Sequence, residues 1–304
     1  MRRVLRHRPG DREGAGGRMS TRFVSARSFE EAFEALAGEE ALAVAGGVSV
    51  GLLANLGLVS AATLVSVSRI PELRGVRVEN GGLVIGAAMT HGRLAADPVL
   101  RRERPEVAAM FGHIGNVRVR AWGTVGGNLA LAEPAQDPPV LLAALDAEAG
   151  IVGTGGTRRV PVAELGDGPM STVLAPDELI REVVVPLPVA GERCSYRKFL
   201  PKTADDYATV SAAVRVRFDG GRIAAARVFC GAVGPVPVAC EEAAALLVGR
   251  THDELREPDD VVAAVRDAVS PVGDHRGSAD YKREMAGVFV KRALEEIGSG
   301  GGAS

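Results

Sequence analysis

Lysine is nearly missing from this 304-residue chain: only Lys198, Lys202, Lys282 and Lys291 stand among its 36 cations, and aromatic residues make up 4 %. With 38 acidic residues the formal charge is −2. A general nucleic-acid binder needs a basic surface interleaved with stacking rings, so composition sets that class aside. Cysteine is scarce too. Cys194, Cys230 and Cys240 lie 36 and 10 residues apart with no Cys-x-x-Cys. That spacing encodes no local zinc or iron–sulfur site, and an odd count argues against a disulfide framework. The remaining reading is three small thiols in a reducing cytoplasm.

The first 18 residues hold six Arg, Asp11, Glu13 and four Gly, without the apolar run of about 7–15 residues that a secretory signal requires. They read as a disordered extension ahead of Met19, and residues 298–304 as a flexible tail. Formal charge is absent from residues 41–68, a stretch of 28 that could span a bilayer. Gly46, Gly47, Gly51 and Gly57 interrupt it, however, as do Ser49 and Asn55. It parses as a buried strand, a Gly turn, a short helix and a second buried strand, since buried parallel strands read as continuous apolar runs. No integral membrane span is expected.

Gly (38) and Pro (17) are plentiful and predict many turns. Ser28 followed by Glu31 is a capping box, with Gly38 at the expected stop, so residues 28–37 read as a helix. Alternation around Asn80–Gly81 in residues 76–86 predicts a hairpin. Helical segments follow near 90–96 and 105–113, then from Pro134 to Ala147. Pro186–Leu187–Pro188 marks a domain boundary. Beyond it, strict alternation over residues 210–219 and the turn at 219–222 predict a half-buried antiparallel pair. Three helices close the chain near 238–248, 258–270 and 278–297; Tyr281, Met285, Val288, Phe289 and Ile297 form the core face of the last.

Gly47–Val48–Ser49–Val50–Gly51 matches the nucleophile elbow G-x-S-x-G, with Ser49 as nucleophile. It comes too early for that fold, with only one or two strands upstream. The other reading of Ala45–Gly46–Gly47–Val48–Ser49 is a backbone cradle for an anion at a helix N-terminus. Thr124–Val125–Gly126–Gly127–Asn128 reads as a second such loop. Two Gly-rich loops that are neither G-x-G-x-x-G nor a P-loop suggest a dinucleotide-like ligand held without a Rossmann unit.

The ordered set AGGVS (45–49), RIPEL (69–73), GAAMTHGRLAADP (86–98), IGNVRVRAWGTVGGNLALAEPAQDPPVLLAALDAE (114–148), PDELIREVVVP (176–186), YRKF (196–199), DDYATVSAAVRV (205–216) and SADYKREMAGVFVKRAL (278–294) resembles the FAD-binding medium subunit of the molybdenum hydroxylases, the family of carbon monoxide dehydrogenase and xanthine dehydrogenase. The resemblance covers residues 20–297. It implies an α+β fold: a PCMH-type FAD-binding domain of two α/β subdomains over 19–188, then a C-terminal domain of antiparallel strands plus a helical bundle over 191–297. It implies FAD as cofactor, with Ala45–Ser49 and Thr124–Asn128 as its two loops. It also implies Asp137 as a hydrogen-bond acceptor, Ile180 as an apolar contact, Lys198 as a cation near the flavin and Tyr207 as a ring against the isoalloxazine. Judged as residues alone, Lys198 also suits a solvated strand, Tyr207 a core ring at a strand end, and Asp137 a helix-start acid.

The implied role is an oxidoreductase subunit that carries electrons from [2Fe–2S] clusters of a small partner to NAD⁺, a quinone or another acceptor. Substrate is hydroxylated on a molybdopterin-containing large partner. No residue of this chain is nominated as catalytic and none as a metal ligand. Three departures stand out: Val48 where relatives place Thr or His, Ser66 for a common Asp, and Trp122 for a polar or basic residue. A subunit that has lost FAD and serves as a scaffold is the second reading, and a serine hydrolase the third.

Overall fold

A computed structural model describes residues 21–201, 203 and 207–300; the expected extension at 1–18 and residues 301–304 of the expected tail lie outside them. The chain begins with β1 (Arg22–Ser25), α1 (Phe29–Leu36), β2 (Ala41–Val44), α2 (Val48–Asn55) and β3 (Thr63–Ser66), a parallel sheet in the order β1-β3-β2. Parallel neighbours need crossovers, and the two helices provide them. Ser28 caps α1 by accepting from the Glu31 N–H at 3.3 Å. The Glu31 carboxylate reaches back to the Arg27 N–H at 2.8 Å, one residue before the expected partner.

Residues 41–68 therefore form β2, α2 and β3, and no helix of the described residues is long and apolar enough to cross a membrane. Burial does not account for the missing charge as expected. The β2 strand is only half-buried, and Leu52, Leu56 and Leu58 on and after α2 face solvent.

The second sheet takes the order β4-β5-β10-β6-β7 and is antiparallel throughout. Its strands are β4 (Val76–Glu79), β5 (Gly82–Gly86), β6 (Glu148–Gly153), β7 (Gly156–Pro161) and β10 (Glu178–Pro186), the short pair β8 (Gly166–Gly168) and β9 (Ser171–Thr172) lying apart. Asn80 (φ 50°) and Gly81 (φ 76°) join β4 to β5 with both central residues left-handed, as a type I′ hairpin requires. Between β5 and β6 run six helices: α3 (His91–Ala96), α4 (Pro98–Glu103), α5 (Pro105–Gly112), α6 (Val117–Trp122), α7 (Val125–Leu131) and α8 (Asp137–Ala144). Every residue of α8 is buried; the short α9 (Val162–Leu165) precedes β8.

After Pro186 the chain forms β11 (Glu192–Phe199), β12 (Val210–Asp219), β13 (Arg222–Gly231) and β14 (Val238–Ala239), ordered as numbered, with α10 (Glu241–Leu247), α11 (Asp259–Ala268) and α12 (Ala279–Gly298). Helix α12 thus runs through Gly298, into the expected tail. One core joins the first two sheets, holding Val65 of β3 together with Leu83, Ile85 and Val183 of the second sheet and Phe111 and Leu141 of the helices. A second, holding Val210, Val214, Phe289 and Ile297, lies in the C-terminal part. Tyr281, expected in that core, is 43 % exposed. The strand β12 is half-buried only beyond Val214, because α8 packs on β12 and β13 and buries Ser211, Ala213 and Phe229 on the other face. The fold is α+β, as expected.

Candidate functional site

At the end of β2 the chain turns at Gly47, whose φ of +78° suits a residue without Cβ, and enters α2. Gly47 brings no capping side chain. The N–H groups of the first turn, on Val48, Ser49 and Val50, are thereby left for an outside acceptor, at the positive end of the helix. A β-carbon built on Gly46 would lie 1.6 Å from the Trp122 carbonyl oxygen and 2.5 Å from its carbon. Only glycine permits that approach, and it brings the two Gly-rich segments together.

The second segment differs from the expected loop. Thr124 is the N-cap of α7, and residues 125–128 are its first turn. Its N–H groups are already spent: Val125 on Met89 O (3.1 Å), Gly126 on Ala87 O (2.9 Å), Gly127 on Thr124 Oγ1 (3.1 Å) and Asn128 on Thr124 O (2.9 Å). This segment can meet a ligand through side chains and shape, whereas the first offers backbone donors. Asn128 Oδ1 is buried without a hydrogen-bond partner among the described residues.

His91 lies under this junction, a residue that sequence reading passed over. Its N–H donates to Gly123 O at 2.9 Å, and its ring stacks on Phe111. A β-carbon on Gly123 would come within 2.9 Å of that ring. Burial pushes the imidazole down to about 4, so it packs there uncharged. For the elbow reading of Ser49, three of the described histidines are engaged elsewhere: His91 is locked in this stack, His113 bonds Ala109 O, and His252 stacks on Phe218.

Asp137 opens α8 and is buried. Tyr196 Oη donates to its Oδ1 at 2.5 Å and Lys198 Nζ to its Oδ2 at 2.9 Å. Burial raises the Asp137 carboxyl above its ordinary range, while the Lys198 cation and the two donors pull it back. Lys198 is therefore no solvated strand residue, and its partner Tyr196 went unnoticed in the sequence. Tyr207 is 37 % exposed, with the Arg276 guanidinium 5.6 Å from its ring centroid. Asp274 holds Arg276 (3.2 Å) and the buried Lys282 (2.9 Å), which fixes that cation in place. Ile180 is buried within the shared core. Its strand reaches the second segment through one relay, Ala87 N–H to Arg181 O and Gly126 N–H to Ala87 O.

An open helix start, a glycine-only contact and a buried acceptor suit a large polar ligand. So do the partnerless buried oxygens of Asn128, Gln136 and Thr209. The residues present fit FAD. Trp122, 66 % exposed, contributes its carbonyl to the junction, and Val48 lies where its N–H counts, so both departures spare the backbone contacts.

Residues 18–188 match the family described as the FAD binding domain in molybdopterin dehydrogenase, and residues 195–297 the CO dehydrogenase flavoprotein C-terminal domain. The carbon monoxide dehydrogenase medium chain of Afipia carboxidovorans is 34 % identical over 85 % of this chain and 89 % of its own length. The glyceraldehyde dehydrogenase medium chain of Sulfolobus acidocaldarius is 30 % identical over 90 % and 97 %. A solved carbon monoxide dehydrogenase from Hydrogenophaga pseudoflava superposes with a TM-score of 0.87 at 33 % identity, covering 93 % of this chain and 98 % of the other. The chain belongs to the FAD-binding medium subunits of the molybdenum hydroxylases, and its class is oxidoreductase.

Proposed function

We propose that this subunit is the electron relay of its assembly, passing electrons from [2Fe–2S] clusters on a small partner to NAD⁺, a quinone or another acceptor, while substrate is oxidised on a molybdopterin-containing large partner. Bound FAD supplies a redox group that exchanges electrons singly or in pairs. The chain's own residues hold and orient it. The first-turn N–H groups of α2 and the Gly46–Gly47 turn receive the pyrophosphate, and Thr124 to Asn128 shape the neighbouring wall. Asp137 would accept a hydrogen bond from the cofactor, Lys198 would supply a positive charge to the flavin, and Tyr207 and Ile180 would supply apolar contact. No acid or base is required of this chain.

The observation that carries the reading is the Gly47 helix start locked by Gly46 against Trp122. The exposed side chains of Leu52, Leu56, Val117 and Trp122, on or at the helices beside that junction, support work within a larger assembly. Free Cys194, Cys230 and Cys240 suit a cytoplasmic setting. Neither Val48 nor Trp122 speaks for the scaffold reading, since a backbone N–H is available at Val48 and the carbonyl of Trp122 meets Gly46 whatever side chains they carry.

Removing FAD from the purified complex is expected to abolish turnover with the acceptor, and adding FAD back to restore it. Full acceptor turnover in the FAD-free complex would overturn the proposal.

A further inference from the structure

Tyr196 and Lys198 stand two residues apart on β11, so both project from the same face of the strand. They close on the two oxygens of one carboxylate, that of Asp137, which comes from α8 of the preceding domain. Asp137 and Lys198 are both buried. Burial beside this carboxylate keeps the Tyr196 phenol protonated well above its ordinary range, so the hydroxyl is a donor. A carboxylate has about four lone-pair sites, and two are taken here. The others are left for a further donor, and the adjacent Gln136 likewise carries a buried side-chain oxygen without a partner among the described residues.

We propose that Tyr196 is a positioning residue for the cofactor: together with Lys198 it holds Asp137 as an acceptor only, and so makes FAD retention depend on the contact between the C-terminal sheet and α8. The proposal rests on the reading that Asp137 contacts FAD. The Asp137 carboxyl also feels His113 at the end of α5, Glu133 before α8, and Tyr207 beyond β11. Lys198 is the strongest of the groups that hold it ionised. Without that cation, burial favours the protonated acid, which donates a hydrogen bond instead of accepting one.

The test is FAD affinity of the purified full-length chain, read by quenching of flavin fluorescence, for wild type, Tyr196→Phe, Asp137→Asn and the double variant. Tyr196→Phe is expected to bind FAD about tenfold more weakly. In the double variant the loss should not exceed that of Asp137→Asn alone. Wild-type affinity in Tyr196→Phe, or two losses that add in full, overturns the proposal and leaves Asp137 as a contact. Wild-type affinity in Asp137→Asn overturns the underlying reading as well. Where Tyr196→Phe does not fold, Lys198→Met decides. Its affinity is expected to fall more steeply on acidification than that of wild type, and parallel profiles overturn the proposal.

Discussion

Gly46→Ala is expected to yield a chain that purifies without FAD. The added methyl would lie 1.6 Å from the Trp122 carbonyl oxygen, 2.5 Å from its carbon and 3.3 Å from Gly123 N, and all three atoms are backbone. A flexible side chain could turn aside; a peptide unit moves only with the element that carries it. Trp122 ends α6, and Gly123 is tied to His91 and Val119 by hydrogen bonds, so relief must come from shifting the β2–α2 turn outward. That shift separates the open N–H groups of α2 from the wall built by Thr124 and Asn128. Overpacking of this kind costs about 1–3 kcal/mol and occasionally more. The cost falls on the junction itself, so FAD occupancy should drop to near zero while the apparent Tm falls by only roughly 5 °C.

Gly51→Ala is the control. Nothing lies within 4 Å of a β-carbon there, and the position is inside α2. Alanine is favoured over glycine in a helix by about 1 kcal/mol, so stability should rise slightly with FAD retained. The ratio of visible to protein absorbance checks both variants. Full FAD occupancy in Gly46→Ala would remove the contact as the basis of the site.

Local chemistry carried much of this fold into view. Asn80–Gly81 can make a tight hairpin because both residues tolerate positive φ, and Ser28 caps α1 because its hydroxyl reaches the third N–H of the helix. The Pro186–Leu187–Pro188 break likewise falls at the end of β10. What stayed hidden depends on partners remote in sequence. Nothing in the run Gly123–Asn128 reveals that the N–H groups of Val125 and Gly126 end on Met89 and Ala87, so a helix start with its donors occupied read as an open loop. The alternation of β12 implies one wet face, but α8 arrives from about 70 residues earlier and covers Ser211 and Ala213. The family resemblance marked Asp137 and Lys198 separately; that they bond each other, with Tyr196 as third member, follows only from folding α8 onto β11.

Arg104→Met is expected to be the most destabilising single change outside the site. Arg104 is 2 % exposed at the junction of α4 and α5. Its Nε and Nη2 donate to Pro186 O at 2.8 and 2.5 Å, while Nη1 meets Glu106 at 3.2 Å and also bonds Glu192. One guanidinium thereby closes the boundary between the two domains from both sides. Methionine fills similar volume but leaves two shielded carboxylates and a carbonyl without their donor. Breaking a buried pair in this way costs about 3–5 kcal/mol. Arg104→Lys keeps the charge and loses the fork, so it should fall between the two.

The pH dependence separates this account from simple loss of packing. Burial raises the Glu106 carboxyl above its ordinary value, with Arg104 opposing. A carboxyl that holds its proton to higher pH when folded gives the folded chain more bound protons across that window, so stability falls as pH rises through it. Removing Arg104 lifts the folded value further and widens the window. The deficit of the variant relative to wild type should therefore be greatest near about pH 8 and shrink toward about pH 5. Urea unfolding followed by far-ultraviolet circular dichroism is the suitable measurement, because the sole tryptophan, Trp122, already faces solvent. A deficit below about 1 kcal/mol would reduce Arg104 to the worth of a surface pair. A large deficit that does not change with pH would place the loss in packing rather than in the charges that meet at this boundary.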